Sequence, residues 1–483
     1  MNAGAAERRT PEAASADYPA PDPAAAAALI AAEIERDGHK VVVLDDDPTG
    51  VQTVHGISVY TGFSREDIAA GFDEPGRMFF ILTNSRSLSR EDTRRLHEGL
   101  ARDIAAVARE RGRPFLLISR SDSTLRGHYP LETETLRSVL EAETGRAIDG
   151  EILCPFFLEG GRLTLGGVHH VVENGVMVPA GETESARDRT FGYRSSDLRA
   201  WIEEKTGGAY PAADVTLLPL ERLRALDVDA LARRLGEVSG FGKVVVDAMA
   251  YADVEVAAAA VLRAVRTGRT FLFRSAAALT RVLGGVTERG LLTREEMLPA
   301  GDGGTGGGLV IVGSHVARSS AQLARLLAAG RTEALEFDVR SVVEGREDAE
   351  ADRLAAEASA RIAAGRVATV YTSRRLHTAG TGSPEDDLAL SVRVSRALVR
   401  LVAGITARPR FVVAKGGITS SDIGVRALGV RRATVLGQAL PGVPVWRLGP
   451  ESRFPGIPYV VFPGNVGDED ALARIVSILA DGG

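Results

Sequence analysis

Short apolar runs of four to five residues recur along the chain. Each is followed by a polar turn rich in Gly, Ser, Thr or Asp, and then by a stretch with apolar positions three and four residues apart. Continuous short runs read as strands buried on both faces, and the three-and-four spacing predicts amphipathic helices. Their alternation is the pattern of a parallel sheet with helices on both sides. In the first part of the chain it predicts strands at Lys40–Leu44, Met78–Leu82, Phe115–Ile118, Glu151–Cys154, Lys243–Val246 and Thr270–Phe273. Arg90–Arg109 and Val254–Arg266 read as helices between them. Later strands are expected at Leu309–Val312, Val367–Tyr371, Phe411–Ala414, Ala433–Leu436 and Tyr459–Phe462, before a closing helix, Asp468–Leu479. The expected fold class is α/β: two three-layer α/β/α domains with mainly parallel sheets.

The break between them falls at Pro299–Gly308, P-A-G-D-G-G-T-G-G-G, whose glycine density suits a flexible linker. The formal G-x-G-x-x-G within it, Gly301 to Gly306, is not a dinucleotide fingerprint. Such a fingerprint follows a strand and opens a helix, whereas this one precedes a strand. The expected organisation is a disordered tail and leading helix over 1–38 (tail Met1–Pro23, helix Ala24–Arg36), a first domain over 39–298, the linker over 299–308 and a second domain over 309–483.

Composition narrows the function classes. With 45% hydrophobic and 25% charged residues the 483-residue chain is not a disordered or fibrous sequence. Its net charge of -6 argues against a broad nucleic-acid surface, and no apolar run is long enough for a membrane span. One cysteine, Cys154, excludes an intrachain disulfide and a multi-cysteine zinc site. No basic-then-apolar leader is visible, so a cytoplasmic location is expected, with a small-molecule substrate and neither nucleic acid nor membrane as partner; a homodimer is compatible with the sequence. Only four lysines occur, Lys40, Lys205, Lys243 and Lys415, in a chain whose default cation is arginine.

Ligands of open parallel sheets bind beyond the carboxyl ends of strands, so the residues there carry the argument. Asp45-Asp46-Asp47-Pro48-Thr49-Gly50 follows the first strand, and three adjacent carboxylates call for a cation or a hydrogen-bonding polyol. Thr83-Asn84-Ser85-Arg86-Ser87 follows the second, where an arginine suits a substrate carboxylate. Ser119-Arg120-Ser121-Asp122-Ser123-Thr124-Leu125-Arg126-Gly127-His128 follows the third and suits an anionic polyhydroxy ligand, the plainer reading being a capped surface helix. Pro155-Phe156-Phe157-Leu158-Glu159-Gly160-Gly161-Arg162 shapes a fourth loop, and His169-His170 reads as structural rather than as a metal pair. In the second domain Gly313-Ser314-His315, Lys415-Gly416-Gly417-Ile418-Thr419-Ser420-Ser421-Asp422 and Pro463-Gly464-Asn465-Val466-Gly467-Asp468 each follow a strand and open a helix. Together they read as a nucleotide site, with Lys415 a candidate positive charge. No Walker A sequence is present.

Taken together, D-D-x-T-G at Asp46–Gly50, S-D-S-T-L-R-G at Ser121–Gly127, P-F-F-x-E-G-G-R at Pro155–Arg162, K-G-G-I-T-S-S-D at Lys415–Asp422 and G-N-V-G-D at Gly464–Asp468 resemble the four-carbon acid sugar kinases. So does Pro179–Tyr193, with Glu182, Thr183, Asp188 and Phe191-Gly192-Tyr193. The resemblance runs from about Lys40 to the C-terminus. It implies an N-terminal sugar-acid domain and a C-terminal ATP domain, with the reaction in the cleft between them. It also implies substrate contacts at Asp46, Arg86, Arg120, Ser121 and Asp122, and nucleotide contacts at Ser314, Gly416, Gly417, Ile418, Thr419, Gly464, Asn465, Val466 and Gly467. Two features depart from the family: Arg120 stands where many members carry lysine, and the first turn has an extra aspartate and a proline.

The activity expected is ATP- and Mg2+-dependent phosphorylation of a sugar-acid hydroxyl, with Asp122 as the base that orients the hydroxyl and Asp46 as the second candidate. Arg86 and Arg120 are expected to hold the carboxylate. No protein metal ligand is assigned. An NAD(P)-linked oxidoreductase and a non-catalytic sugar-acid sensor are the alternatives.

Overall fold

A computed structural model describes residues 9–299, 306–374, 384–464 and 466–480, the side chains of 384–389 excepted. Most of the glycine run, residues 300–305, and Asn465 lie outside the described residues. In chain order the strands are β1 (Lys40–Asp45), β2 (Ile57–Tyr60), β3 (Met78–Leu82), β4 (Phe115–Arg120), β5 (Gly150–Cys154), β6 (Arg162–Leu165), β7 (Val168–Glu173), β8 (Val176–Pro179) and β9 (Thr216–Leu218). They continue as β10 (Gly242–Val246), β11 (Phe271–Ser275), β12 (Leu309–Val312), β13 (Glu333–Phe337), β14 (Ala368–Thr372), β15 (Val412–Lys415), β16 (Arg432–Leu440), β17 (Val443–Leu448) and β18 (Pro458–Phe462).

The chain divides into two compact units. One takes the chain up to Gly50 together with Phe63–Thr287; the other takes Val51–Gly62 and Glu288–Gly483. The second unit thus begins at Glu288, ahead of the glycine run, and it includes a segment from early in the chain. Val51–Gly62 joins it because β2 pairs antiparallel with β16, Tyr60 opposite Arg432 and Ile57 opposite Val435.

In the first unit the strands pair, all parallel, in the order β3-β1-β4-β11-β5-β10-β9. All six residues of β1 are buried, as a central parallel strand requires. From β1 the chain first adds β3 on one side and then β4 on the other. The order therefore reverses at β1, and the carboxyl ends of β1, β3 and β4 flank a crevice of the kind that takes ligands. The helix Arg90–Glu110 begins at Ser89, whose hydroxyl accepts from Asp92 N at 3.1 Å. It buries Thr93, His97, Leu100, Ala101, Ile104 and Ala108 at three- and four-residue intervals.

In the second unit the order is β13-β14-β12-β15-β18, all parallel, continuing through the antiparallel pairs β18-β17, β17-β16 and β16-β2. Here the order reverses at β12, between β14 and β15. Val310, Val312, Phe411, Val413, Val460, Phe462 and the buried face of the closing helix Ala471–Ala480 share one core.

The eleven expected strands are all present, displaced by a few residues at their ends. β2, β9, β13, β17 and the antiparallel group β6-β7-β8 were not expected. The tail differs too. Residues 9–22 are ordered where Met1–Pro23 was expected to be disordered: Pro11–Ser15 is helical, Arg9 O accepts from Met177 N at 2.9 Å, and Pro19 O accepts from Arg224 Nη1 at 2.9 Å. Alanine and proline suggested disorder. The free edge of β8 and a buried arginine supply the partners that hold the segment.

Candidate functional site

The first cluster gathers at the carboxyl ends of β1, β3, β4 and β11. β1 ends on Asp45 and Asp46 follows it, both no more than 2% exposed. Arg86, in the turn after β3, grips Asp46 with two donors: Nε to Oδ2 at 3.1 Å and Nη2 to Oδ1 at 2.6 Å. Its Nη1 also lies 3.5 Å from Asp47 Oδ2 and 4.0 Å from Asp122 Oδ1. Arg120, closing β4, donates to Asp45 Oδ1 at 3.0 Å and lies 3.6 Å from Asp46. Ser121 Oγ, placed 3.1 Å from Asp46 Oδ2, donates to that carboxylate or to Arg126 O at 3.0 Å. Asp46, Arg86, Arg120, Ser121 and Asp122, the five residues expected on the substrate side, are thus brought together. The three adjacent aspartates are met by arginines of the chain itself. Arg86 and Arg120, expected to meet a substrate carboxylate, are engaged by Asp46 and Asp45.

Asp122 does not cap a helix. It opens a turn, with Leu125 N bonded to Asp122 O at 3.1 Å, and the next helix starts only at Leu131. Its Oδ2 accepts from Arg126 Nε at 2.7 Å and from the Thr124 hydroxyl, while its Oδ1 has Arg86 at 4.0 Å. Burial works against its ionisation, but Arg86 and Arg126 outweigh that and hold the carboxyl well below the usual carboxylate range. Asp45 behaves oppositely: burial, with Asp46 and Asp47 beside it, pushes it up to about 7 against the pull of Arg120. Gly127 closes the turn at φ +120, where a Cβ would lie 2.8 Å from Ser121 Oγ, 2.9 Å from Arg274 Nη2 and 3.3 Å from Asp46 Oδ2. Only glycine lets the backbone come that close.

Several members of the cluster escaped the sequence reading. Arg274 of β11 bonds Ser119 Oγ at 3.1 Å and pairs with Glu132, which also accepts from Ser85 Oγ at 2.6 Å. Arg274 sits at the end of a buried strand, the signal that pointed to Arg86, but that strand runs two residues further than expected. The antiparallel group β6-β7-β8 is stitched to the Asp122 turn. His169 Nε2 meets Ser123 O at 2.8 Å and its Nδ1 meets Thr164 Oγ1 at 3.0 Å; Tyr193 donates to Thr124 O at 2.8 Å. Burial lowers His169 to about 4, so the ring is neutral and structural. The two histidines do point apart: His169 is fully buried, whereas His170 is only partly so.

The second cluster lies within the other unit, beyond β12, β15 and β18. Ser319 Oγ, within reach of Ser314 Oγ (3.1 Å) and Gly464 O (3.2 Å), links the first turn to the last. Gly416 has φ +120, and a Cβ there would lie 3.2 Å from both Ser314 Cβ and Thr419 Oγ1. Gln322 Nε2 donates to Val466 O at 3.0 Å, and Arg318 Nη1 to Gly467 O at 3.2 Å. Ser314, Gly416, Gly417, Ile418, Thr419, Gly464, Val466 and Gly467 therefore belong to three turns that converge. Ile418 and Val316 stand 63% and 44% exposed there, apolar side chains left uncovered. Lys415 is not a free positive charge: its Nζ donates to Pro463 O at 2.6 Å and Gly464 O at 3.1 Å and lies 4.0 Å from the Phe462 ring centre. Burial and Arg318 lower it to about 7. It shapes the last turn.

Among the described residues no group of three or more His, Cys, Asp or Glu side chains could hold a metal, and no helix is long and apolar enough to cross a membrane.

Two family models match the chain: a sugar-binding N-terminal domain over residues 41–283 and a nucleotide-binding C-terminal domain over 309–472. Each encloses one of the two clusters. The chain is 30% identical to a D-threonate kinase of Cupriavidus necator over 379 residues, 74% of this chain and 81% of that protein. Among solved structures it resembles a putative tRNA synthase from Salmonella typhimurium LT2 (TM-score 0.65, 17% identity, 90% of this chain and 98% of that one). It also resembles protein HI1011 of Haemophilus influenzae (TM-score 0.57, 18% identity, 90% and 99%). At those identities the two structures speak to the fold, which is α/β with mainly parallel strands as expected. The two matched domains and the extent of the likeness to the D-threonate kinase place the chain in the four-carbon acid sugar kinase family.

Proposed function

We propose that the chain is an ATP-dependent kinase that phosphorylates a hydroxyl of a four-carbon sugar acid of the threonate, erythronate or 3-oxo-tetronate type. The likeness to a D-threonate kinase supports the substrate class. The observation that carries the chemistry is the contrast between two carboxylates. Both oxygens of Asp46 are taken by Arg86, whereas the hydrogen bonds of Asp122 fall on Oδ2 and, among the described residues, the cation beside its Oδ1 is Arg86 at 4.0 Å. Asp122 is the better placed to accept a hydrogen bond from the attacking hydroxyl, orient it and receive its proton late in a loose phosphoryl transfer. Asp46 then holds Arg86 and Ser121 in place. Thr124 and Arg126 fix Asp122 through Oδ2.

Bound Mg-ATP would supply the phosphoryl group and the cation that neutralises its charge. The residues fit such a ligand. The room beside Gly416, which a Cβ would fill, lets backbone N–H groups approach phosphates, and Ser314 and Thr419 add hydroxyls. Ile418 and Val316 offer apolar cover for a base. Ser314, Gly416, Gly417, Ile418, Thr419, Gly464, Val466 and Gly467 would hold the nucleotide, with Asn465 of the same turn outside the described residues. Because the described residues offer no carboxylate cluster to anchor it, Mg2+ would be held through the phosphates.

A coupled assay of ADP release with Mg-ATP and a panel of threonates, erythronates and 3-oxo-tetronates tests this. One acid of the panel should drive turnover. ADP release that ignores every acid would refute it, as would reduction of a nicotinamide cofactor in place of ADP release.

A further inference from the structure

Four arginines of the first cluster have a carboxylate each: Arg86 with Asp46, Arg120 with Asp45, Arg126 with Asp122 and Arg274 with Glu132. A fifth, Arg162, has none. Among the described residues no carboxylate lies within ion-pair distance of it, and its Nε is buried with no acceptor. Arg120 Nε is also without an acceptor, but the Arg120 charge is met by Asp45 at 3.0 Å and Asp46 at 3.6 Å. An uncompensated guanidinium in a half-buried setting is costly unless an anion arrives to meet it.

The fold aims Arg162 at the site. It opens β6, pinned by a reciprocal pair of backbone bonds with Phe157 at 3.0 and 2.9 Å. Its Nη1 packs over Gly160, where a Cβ would stand 2.8 Å away. Arg162 and Thr164 lie two apart on the strand and share a face. Thr164 on that face meets His169, which reaches Ser123 O in the Asp122 turn. Thr164 also exchanges two backbone bonds with Ala248, just past β10, which keeps β6 at the carboxyl edge of the sheet. Arg162 accordingly senses the charges of Asp122 and Arg126.

We propose that Arg162 is the guanidinium that receives the substrate's carboxylate, the role that Arg86 and Arg120 cannot fill while Asp46 and Asp45 hold them. The assignment rests on the sugar-acid reading above. It makes Arg162 the residue that selects acids over neutral polyols, because a fork of donors matches a carboxylate and finds no equivalent in a hydroxymethyl group.

The test compares wild type with Arg162→Met and Arg162→Lys, using the four-carbon acid that wild type turns over and its neutral alditol. Loss of a charge-assisted pair should raise KM for the acid about ten- to hundredfold in the methionine variant. KM for ATP should not move, and the preference for acid over alditol should shrink by the same factor. Lysine should recover part of it. Without ligand, the methionine variant should melt at or above wild type, since it loses an unpaired charge; a merely structural arginine would lower the melting temperature. Acid affinity within threefold of wild type, unchanged discrimination, or a lowered melting temperature overturns the assignment and leaves the kinase reading standing. A wild type that neither binds nor phosphorylates any four-carbon acid overturns both.

Discussion

Asp122→Asn separates chemistry from architecture because the two effects differ in size. Asparagine keeps the shape of the side chain and can still accept from Arg126 Nε, which stands 2.7 Å from Asp122 Oδ2. What it loses is the charge between Arg86 and Arg126. A hydrogen bond to a charged acceptor exceeds a neutral one by about 1–1.5 kcal/mol, so the folded variant should melt about 2–6 °C lower at pH 7. The sign with pH follows from the lowered pKa. A carboxyl held below its ordinary value contributes its full stability above the usual carboxylate range and loses it as pH falls through the lowered value. The gap between variant and wild type should therefore narrow below about pH 4. If Asp122 Oδ1 orients the hydroxyl, kcat should fall by about two to four orders of magnitude, or about 3–5.5 kcal/mol in the barrier. That is well beyond anything the lost ion pair accounts for. ADP affinity by calorimetry should stay within a few-fold. A kcat within a few-fold of wild type, with the melting temperature lowered as calculated, would make Asp122 a structural partner of Arg126. Asp46 would be the next carboxylate to substitute.

Three further variants probe the other parts. Gly416→Val places a branched side chain at φ +120, 3.2 Å from Ser314 Cβ and Thr419 Oγ1, and should weaken ADP binding at least about tenfold in a protein that still binds the acid; unchanged ADP affinity in the folded variant would refute the phosphate cradle. Lys415→Met leaves the Pro463 carbonyl without its donor and Gly464 O with Ser319 alone, so ADP affinity should fall about tenfold while KM for the acid holds; equal losses for both ligands would mean general unfolding instead. Asp247 accepts backbone N–H groups from Gly166, Gly167 and Leu220, yet burial raises it to about 6. A raised carboxyl contributes stability that is complete below its unfolded value near 3.8 and is lost as pH rises through 6. Wild type should thus lose up to about 3 kcal/mol relative to Asp247→Asn between pH 4 and 6, measured by urea melts; parallel pH profiles would refute it.

The parallel strands were legible because burial on both faces leaves uninterrupted apolar runs such as Val41–Leu44 and Phe79–Leu82, which need no knowledge of their neighbours. The group β6-β7-β8 was not. His169, His170 and Glu173 break the apolar pattern of β7, and what makes it a strand is its pairing with Arg162–Leu165 and Val176–Pro179. The site divides the same way. That Asp46, Arg86, Arg120, Ser121 and Asp122 would meet could be read from their places at strand ends. Which arginine faces which carboxylate could not, because pairing depends on register and on turns such as the one closed by Gly127. This is why Arg162, passed over as part of a glycine-shaped loop, emerges only when the pairs are counted.

The lysines show what their rarity in the sequence could not, namely what each one holds. In a chain that otherwise uses arginine, each lysine was worth notice, and Lys415 drew attention as a cation for phosphate. All four instead fasten the fold. Lys40 Nζ donates to Glu74 O and Gly76 O, Lys205 to Phe191 O and Gly192 O, and Lys415 to Pro463 O and Gly464 O, while Lys243 pairs with Glu151 at 2.7 Å. A compact ammonium with three donors can sit at the crossing of two carbonyls inside a tight turn, where a planar guanidinium five donors wide does not fit. On the proposed nucleotide reading, Lys415 would act through the Pro463–Gly464 backbone that it fastens. Replacing it by arginine, which keeps the charge but not the size, should harm the nucleotide site about as much as methionine does.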